Sequence, residues 1–255
     1  TPHALHREHT LMMLEAGRPV LCEKPAAINA KQVEDMIAVA RRKNIVFMEA
    51  MWNMFFPATQ KALELIKGGA IGDVRMLEAD FGFAAGFDPK ARLFNPEMGG
   101  GSLLDVGCYG VALAQAVFGQ TPERVTAMGD IGQSAVDEQA AMILGYKGGA
   151  LAVLHSAIRT NTKHEAWIYG TQGMIHIPCH FWSPDRIILK REGQPDEEFK
   201  YERFGNGYTY EAIEVQKCIY AGKKENEIAS HAKSIAVMRT MDRIRAVMGV
   251  KYPME

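Results

Sequence analysis

Val33, Met36, Ile37 and Ala40 recur at helical spacing behind Asn29, a good first-turn cap, and this pattern predicts a helix. Shorter apolar runs flank it: Pro19 to Cys22 before it and Ile45 to Trp52 after it, each as long as a buried strand. The opening TPHALHREHTLMMLEAG puts Thr1 and Pro2 where a helix cap and first helical residue belong, and Gly17 where a helix stops. Helix, strand, helix, strand is the order found in the back half of a doubly wound α/β sheet.

The pattern changes after Trp52. A helix from about Phe56 to Ile66 stops at Gly68 and Gly69, and alternation then predicts strands at Asp73 to Phe83, Arg124 to Asp130, Glu138 to Tyr146 and Ala150 to Ile158. Further strands follow at Glu165 to Gly170, Met174 to Pro178, Arg186 to Lys190 and Glu198 to Tyr201. Turn residues such as Lys147-Gly148-Gly149 and Gly170-Thr171-Gln172-Gly173 join several of them, as an antiparallel or mixed sheet requires. Two helices, about Tyr208 to Tyr220 and His231 to Met248, close the chain. The fold class expected is therefore α/β: part of a parallel sheet over residues 1–52, then an α+β domain over residues 53–255 built on one large open mixed or antiparallel sheet. The apolar residues of Ala150 to Ile158 and Glu165 to Gly170 are compatible with two buried faces, which predicts a homodimer through this sheet. Val20, Leu21 and the apolar edge of Ile45 to Met51 are expected to lack neighbouring strands and to favour aggregation.

Composition narrows the function. With 29 basic and 30 acidic residues the 255-residue chain has a formal net charge of −1, so no basic field is available for nucleic acid or an anionic membrane. Cys22, Cys108, Cys179 and Cys218 form no C-x-x-C pair, and neither a secretory signal nor a run of about 18 apolar residues is expected, which points to a reduced, cytoplasmic protein with a small polar ligand. His3, His6 and His9 invite a metal reading. On a helix, however, the first and last of these rings lie about 120° apart, so no metal site is expected.

Two clusters carry candidate chemistry. The strand ending at Cys22 runs directly into Glu23-Lys24-Pro25, at the edge where open α/β sheets bind ligands; a solvated loop with one ion pair has the same letters. In GGGSLLDVGCYG, Asp105 and Tyr109 are four residues apart, about 40° around a helix. Oxidising an alcohol carbon needs a group to take the hydroxyl proton as hydride leaves. A lysine beside a tyrosine can lower the phenol from its usual value of about 10, or can act as the acid/base itself.

These stretches, with MEAMWNMFFPA, GTQGMIHIP and YEAIEVQKCIYAGKKE, resemble the Gfo/Idh/MocA family of nicotinamide-dependent oxidoreductases along essentially the whole chain. Within that family the chain looks most like the dihydrodiol dehydrogenase branch, whose members also oxidise D-xylose with NADP. The resemblance implies that residues 1–52 are the C-terminal part of a Rossmann-type sheet. It implies NADP or NAD as cofactor, a sugar, polyol or dihydrodiol as substrate, and hydride transfer at a CH–OH carbon. By the same resemblance Lys24 is catalytic, Tyr109 accepts the proton in oxidation, and Asp105 is the downstream acid. Glu23, Lys24 and Pro25 contact the cofactor, Pro25 follows a cis bond, and Thr1, Pro2 and His3 border the pyrophosphate and ribose. Trp52 and Phe81 become substrate-pocket walls.

Two departures from the family pattern stand out. Met54 takes the place of an arginine in the element Trp52-Asn53-Met54-Phe55. No G-x-G-x-x-G follows an opening strand, so the expectation is a truncated dinucleotide domain, with ~70 residues, about two βαβ units, lying outside this sequence. The alternative function is a non-catalytic sugar-binding or assembly protein that has lost its cofactor half; retention of Lys24, Asp105 and Tyr109 speaks against it.

Overall fold

A computed structural model describes residues 1–255. The chain begins with a 3-10 turn, His3–Leu5, that feeds α1 (His6–Glu15); Gly17, at φ 77°, ends the helical segment. β1 (Val20–Glu23) and β2 (Phe47–Ala50) pair in parallel across α2 (Ala30–Lys43). The Asn29 side chain accepts from the Gln32 N–H at 2.9 Å, and Val33, Met36, Ile37 and Ala40 are all buried, as the helical spacing requires.

As expected, neither β1 nor β2 has a further neighbouring strand, but the free edge of β2 is capped at Phe47. The Phe47 N–H donates to the Lys224 carbonyl at 3.4 Å, and His231 Nε2 donates to the Phe47 carbonyl at 3.1 Å. A loop and a helix start from the far end of the chain thus take up hydrogen bonds that a neighbouring strand would otherwise make. The outer edge of β1 and the free edge of β2 beyond Phe47 pair with no strand, and Leu21 is exposed.

A 3-10 turn at Trp52–Met54 and α3 (Pro57–Lys67) lead into the large sheet. Its strands are β3 (Val74–Gly82), β4 (Arg124–Ile131), β5 (Asp137–Gly145) and β6 (Leu151–Ala157), then β7 (Ala166–Gly170), β8 (Met174–Ile177), β9 (Arg186–Lys190) and β10 (Glu197–Lys200). Their order is β10-β9-β8-β7-β3-β6-β5-β4; every pair is antiparallel except β3 with β6, where Leu77 faces Ala152 and Ala79 faces Leu154.

Between β3 and β4 lies α4 (Cys108–Phe118), and after β10 come α5 (Tyr208–Tyr220) and α6 (His231–Met248). α3, α4 and α6 cover one face of the sheet, and α6 also returns to α2, where Asp242 accepts from the Ala30 N–H at 2.9 Å. The other face is open: Met128 is 81% exposed and Ile143 47% exposed, so the two-faced burial expected for β6 and β7 does not occur within one chain. Against expectation, one segment, Pro96–Phe118, has the length and apolarity of a membrane span (mean hydropathy 1.4), but 78% of its most apolar window is packed inside this chain.

Candidate active site

The carboxyl ends of β1 and β2 deliver Lys24 and Trp52 to the same edge of the small sheet. The turn at Lys24-Pro25 has a cis peptide bond. The His6 ring lies between the Pro25 carbonyl, 2.8 Å away, and the Thr1 carbonyl, 3.0 Å away, which fixes the turn against the start of the chain.

The glycine run brings the second half of the site. A Cβ on Gly100 would come within 2.6 Å of the Leu93 carbonyl, and one on Gly101, at φ 105°, within 2.3 Å of Asp137 Oδ1. Only glycine lets this strand of backbone pass so closely. The helix that follows opens on a π-helical turn, Leu103–Gly107, before continuing as α4, so Asp105 lies on a wider turn than Tyr109. Neither faces water: Asp105 is 7% exposed and Tyr109 5%.

Asp105 is the hub. Lys24 Nζ donates to its backbone carbonyl at 2.5 Å and stands 3.7 Å from its Oδ1, while Arg92 Nη1 donates to the same Oδ1 at 2.8 Å. Burial would raise the Asp105 carboxyl, but the Lys24 ammonium and the Arg92 guanidinium outweigh it and hold the group below its ordinary value. His3 Nε2 lies 3.9 Å from Oδ1, and its Nδ1 lies 2.8 Å from the Gly99 carbonyl. Burial, reinforced by Lys24, drives His3 down to about 3, so this histidine is neutral and sets geometry rather than charge.

Tyr109 accepts a hydrogen bond from Trp52 Nε1 at 2.8 Å, and Lys24 Nζ stands 4.8 Å from the centre of its ring. The phenol is not lowered, contrary to the sequence expectation. Burial, with the neighbouring Cys108 thiol, pushes it well above 10, and the Trp52 N–H recovers only part of that. Phe81 stacks on Tyr109 at 5.7 Å and on Trp182 at 3.3 Å; Trp52 stacks on Tyr208 at 4.4 Å.

The structure thus brings Lys24, Asp105, Tyr109, His3, Trp52 and Phe81 together. Beside them Glu23 ends β1 at the rim of the small sheet and is exposed, Thr1 and the buried Pro25 meet across the His6 ring, and Pro2 precedes the opening 3-10 turn. Arg92, Trp182, Tyr208 and Glu211 were not anticipated. Arg92 reaches Asp105 from a 3-10 turn 13 residues upstream, and no local pattern marks that approach. Glu211, on α5, is buried with its Oε2 unpartnered; burial and the nearby Glu23 push its carboxyl up to about 8.

A cofactor that carries hydroxyl groups fits this rim. Glu23 is exposed and joins no ion pair, so it is free to accept from hydroxyls, and Glu211 beside it is a carboxylic acid that can donate.

Residues 1–51 match the oxidoreductase family with an NAD-binding Rossmann fold, and residues 59–176 match the GFO/IDH/MocA C-terminal domain. The chain is 42% identical over 257 residues to the trans-1,2-dihydrobenzene-1,2-diol dehydrogenase of Xenopus tropicalis, covering 98% of this chain and 77% of that protein. It belongs to the GFO/IDH/MocA oxidoreductase family.

The Mus musculus enzyme of the same name is 36% identical over 261 residues, covering 100% of this chain and 78% of its own. Among solved structures, the aldose-aldose oxidoreductase from Caulobacter crescentus complexed with glycerol superposes with a TM-score of 0.88 at 27% identity, over 97% of this chain and 75% of that one. Levoglucosan dehydrogenase, in complex with NADH and levoglucosan, shares the fold with a TM-score of 0.86 at 22% identity, over 98% of this chain and 76% of its own. In this GFO/IDH/MocA oxidoreductase, then, the two-stranded sheet lies within the residues that match the NAD-binding fold, and β3 to β7 and most of β8 lie within those that match the family's C-terminal domain.

Proposed function

We propose that this oxidoreductase transfers hydride between NAD or NADP and a CH–OH carbon of a sugar, polyol or dihydrodiol, with Lys24, Tyr109 and Asp105 as its catalytic group. One observation carries the reading: Lys24, delivered by the parallel sheet, is 3.7 Å from Asp105 Oδ1 and 4.8 Å from the Tyr109 ring centre, both delivered by the helix after the glycine run. The names of the relatives support the substrate class, from dihydrodiol to aldose.

In this reading Glu23, Lys24 and Pro25, with Thr1, Pro2 and His3, hold the cofactor, which supplies the hydride acceptor or donor. The proton is the chain's concern. Tyr109, kept as a phenol by burial, is the donor at Oη when a carbonyl is reduced. When an alcohol is oxidised, Oη must instead start as the phenolate and end as the phenol, and the Lys24 ammonium is the cation placed to stabilise that phenolate before it takes the proton. Asp105, itself held by Arg92, keeps that ammonium in place. Trp52, Phe81 and Trp182 are the aromatic faces beside Tyr109 that would wall the substrate pocket, with Tyr208 stacked on Trp52 at its exposed side.

Turnover is the direct test, followed at the nicotinamide absorbance with NADP and NAD against trans-dihydrodiols, D-xylose, other aldoses and polyols. No turnover on any pair would overturn the proposal. A binding test stands beside it. Saturable quenching of tryptophan fluorescence is expected on titrating NADP or NAD, and Trp52→Phe should remove most of the signal; quenching unchanged in that variant would move the cofactor away from Trp52.

The open face of the large sheet, with Met128 and Ile143 exposed, supports a homodimer through the C-terminal domain. Light scattering at micromolar concentration should give twice the mass of the 28.2 kDa chain; a single-chain mass counts against it.

A further inference from the structure

We propose that His164, Cys179 and His180 form a binding site for a borderline divalent cation of the zinc type, set behind the aromatic wall of the pocket. His164 lies in the loop between β6 and β7, and Cys179 and His180 lie in the loop between β8 and β9. One ligand atom from each side chain lies within 4.8 Å of the other two. Two imidazoles and a thiolate are the donor set that zinc and its neighbours prefer over calcium or magnesium.

The loops are held in register by the backbone. The Phe181 N–H donates to the His164 carbonyl, and the Ser183 N–H to the His180 carbonyl, both at 2.9 Å. His164 is held further: its own N–H donates to Asp80 at 2.8 Å, and its Nε2 is hydrogen-bonded to the Gly82 carbonyl. A ring that gives one N–H to a backbone carbonyl has its tautomer and orientation set as in metal-bound histidines, leaving Nδ1 with a free lone pair. The Cys179 thiol and the His180 ring make no hydrogen bond in the chain and are exposed, and the His180 ring packs 4.8 Å from Trp182 and 5.5 Å from His164.

With bond lengths of about 2.3 Å to sulfur and about 2.0 Å to nitrogen, a tetrahedral ion keeps its ligand atoms roughly 3.5 Å apart. Closing from 4.8 Å thus takes side-chain rotation of about 1 Å and leaves a fourth position open. The expectation that His3, His6 and His9 hold no metal is untouched, because this cluster comes from two loops that only the sheet brings together.

The location gives the site a consequence. His164 packs edge-on against Phe81 at 5.3 Å and against Trp182 at 4.7 Å, and Phe81 stacks on Tyr109. An ion there tightens both loops behind the Phe81–Trp182 pair. The binding claim stands apart from the hydride-transfer reading and is tested without turnover.

The chain, stripped with a chelator, is titrated with Co2+ and then with Zn2+. One equivalent of cobalt should produce a thiolate-to-metal charge-transfer band in the near ultraviolet, and Cys179→Ser should abolish it. His180→Gln should weaken zinc binding at least tenfold, while His9→Gln should leave it unchanged. Cys179 is the one exposed thiol, so zinc should also slow its alkylation by iodoacetamide, read by mass spectrometry. No charge-transfer band at saturating cobalt, or a band that survives Cys179→Ser, overturns the proposal.

Discussion

Lys24→Met is expected to lower kcat about a thousandfold on the best diol or sugar substrate, the scale at which a positioned acid/base pair contributes. That is about 4 kcal/mol of barrier at 1.4 kcal/mol per tenfold. Two losses combine. The ammonium that faces the Tyr109 ring at 4.8 Å disappears, so only the Trp52 N–H is left to offset the burial that already holds the phenol well above 10. Asp105 also loses its Lys24 bond and is left with Arg92 alone. Tyr109→Phe, which removes the proton-transfer atom but keeps the Phe81 stack, should cost ~10²- to 10³-fold in kcat with little change in KM. The ascending limb of the pH–rate profile for oxidation, on which Tyr109 must ionise before it can accept, separates chemistry from misfolding: it should vanish in Tyr109→Phe. Activity within tenfold of wild type in Lys24→Met, with an unchanged circular dichroism spectrum, would sink the assignment.

How much of this was legible in the sequence depended on how local the cause was. β9 and the two last helices, α5 and α6, agree with their patterns to the residue, because alternation and helical spacing are properties of a single segment. β1 begins one residue later than expected and β2 is shorter at both ends, since strand ends are set by pairing and the two strands share only four registered pairs. The cap on Phe47 at the edge of β2 leaves no mark in the local pattern, because the groups that supply it come from Lys224 and His231. The same holds at the site. Lys24, Asp105 and Tyr109 carry a recognisable spacing; Arg92 and Glu211 reach the site through tertiary packing and carry none. The direction of the Tyr109 shift was misjudged for one reason: the pairing of lysine with tyrosine was visible, while the depth of burial that outweighs it was not.

Asp137 is the residue on which a stability measurement should show the largest effect. It sits at the start of β5, wholly buried, and its Oδ2 accepts from Ser102 Oγ at 2.8 Å and from the Leu103 N–H at 2.7 Å. Those two donors begin the helical segment that carries Asp105 and Tyr109. Asp137→Ala orphans the Leu103 N–H and leaves Ser102 Oγ with Ser156 Oγ alone, and at 1–3 kcal/mol per buried unsatisfied group the fold should lose about 3 kcal/mol by urea denaturation. A loss under about 1 kcal/mol would mean that water or a backbone shift replaces the carboxylate.

Asp137 also titrates. Burial pushes its carboxyl from 3.8 up to about 6, with the Leu103 and Ser102 bonds opposing. Between those values the unfolded chain has released a proton that the folded chain still holds, so this group makes stability fall as pH rises from about 4 to about 6, by on the order of 3 kcal/mol. His3 works the other way: lowered from 6.5 to about 3, it is neutral when folded and protonated when unfolded, so its contribution rises with pH across that window. The wild-type curve alone therefore mixes two opposite slopes. The difference between wild type and Asp137→Asn, measured from pH 4 to pH 7, isolates the aspartate: Asp137→Asn should gain on wild type as pH rises, and a constant difference would mean that Asp137 is ionised in the native state throughout.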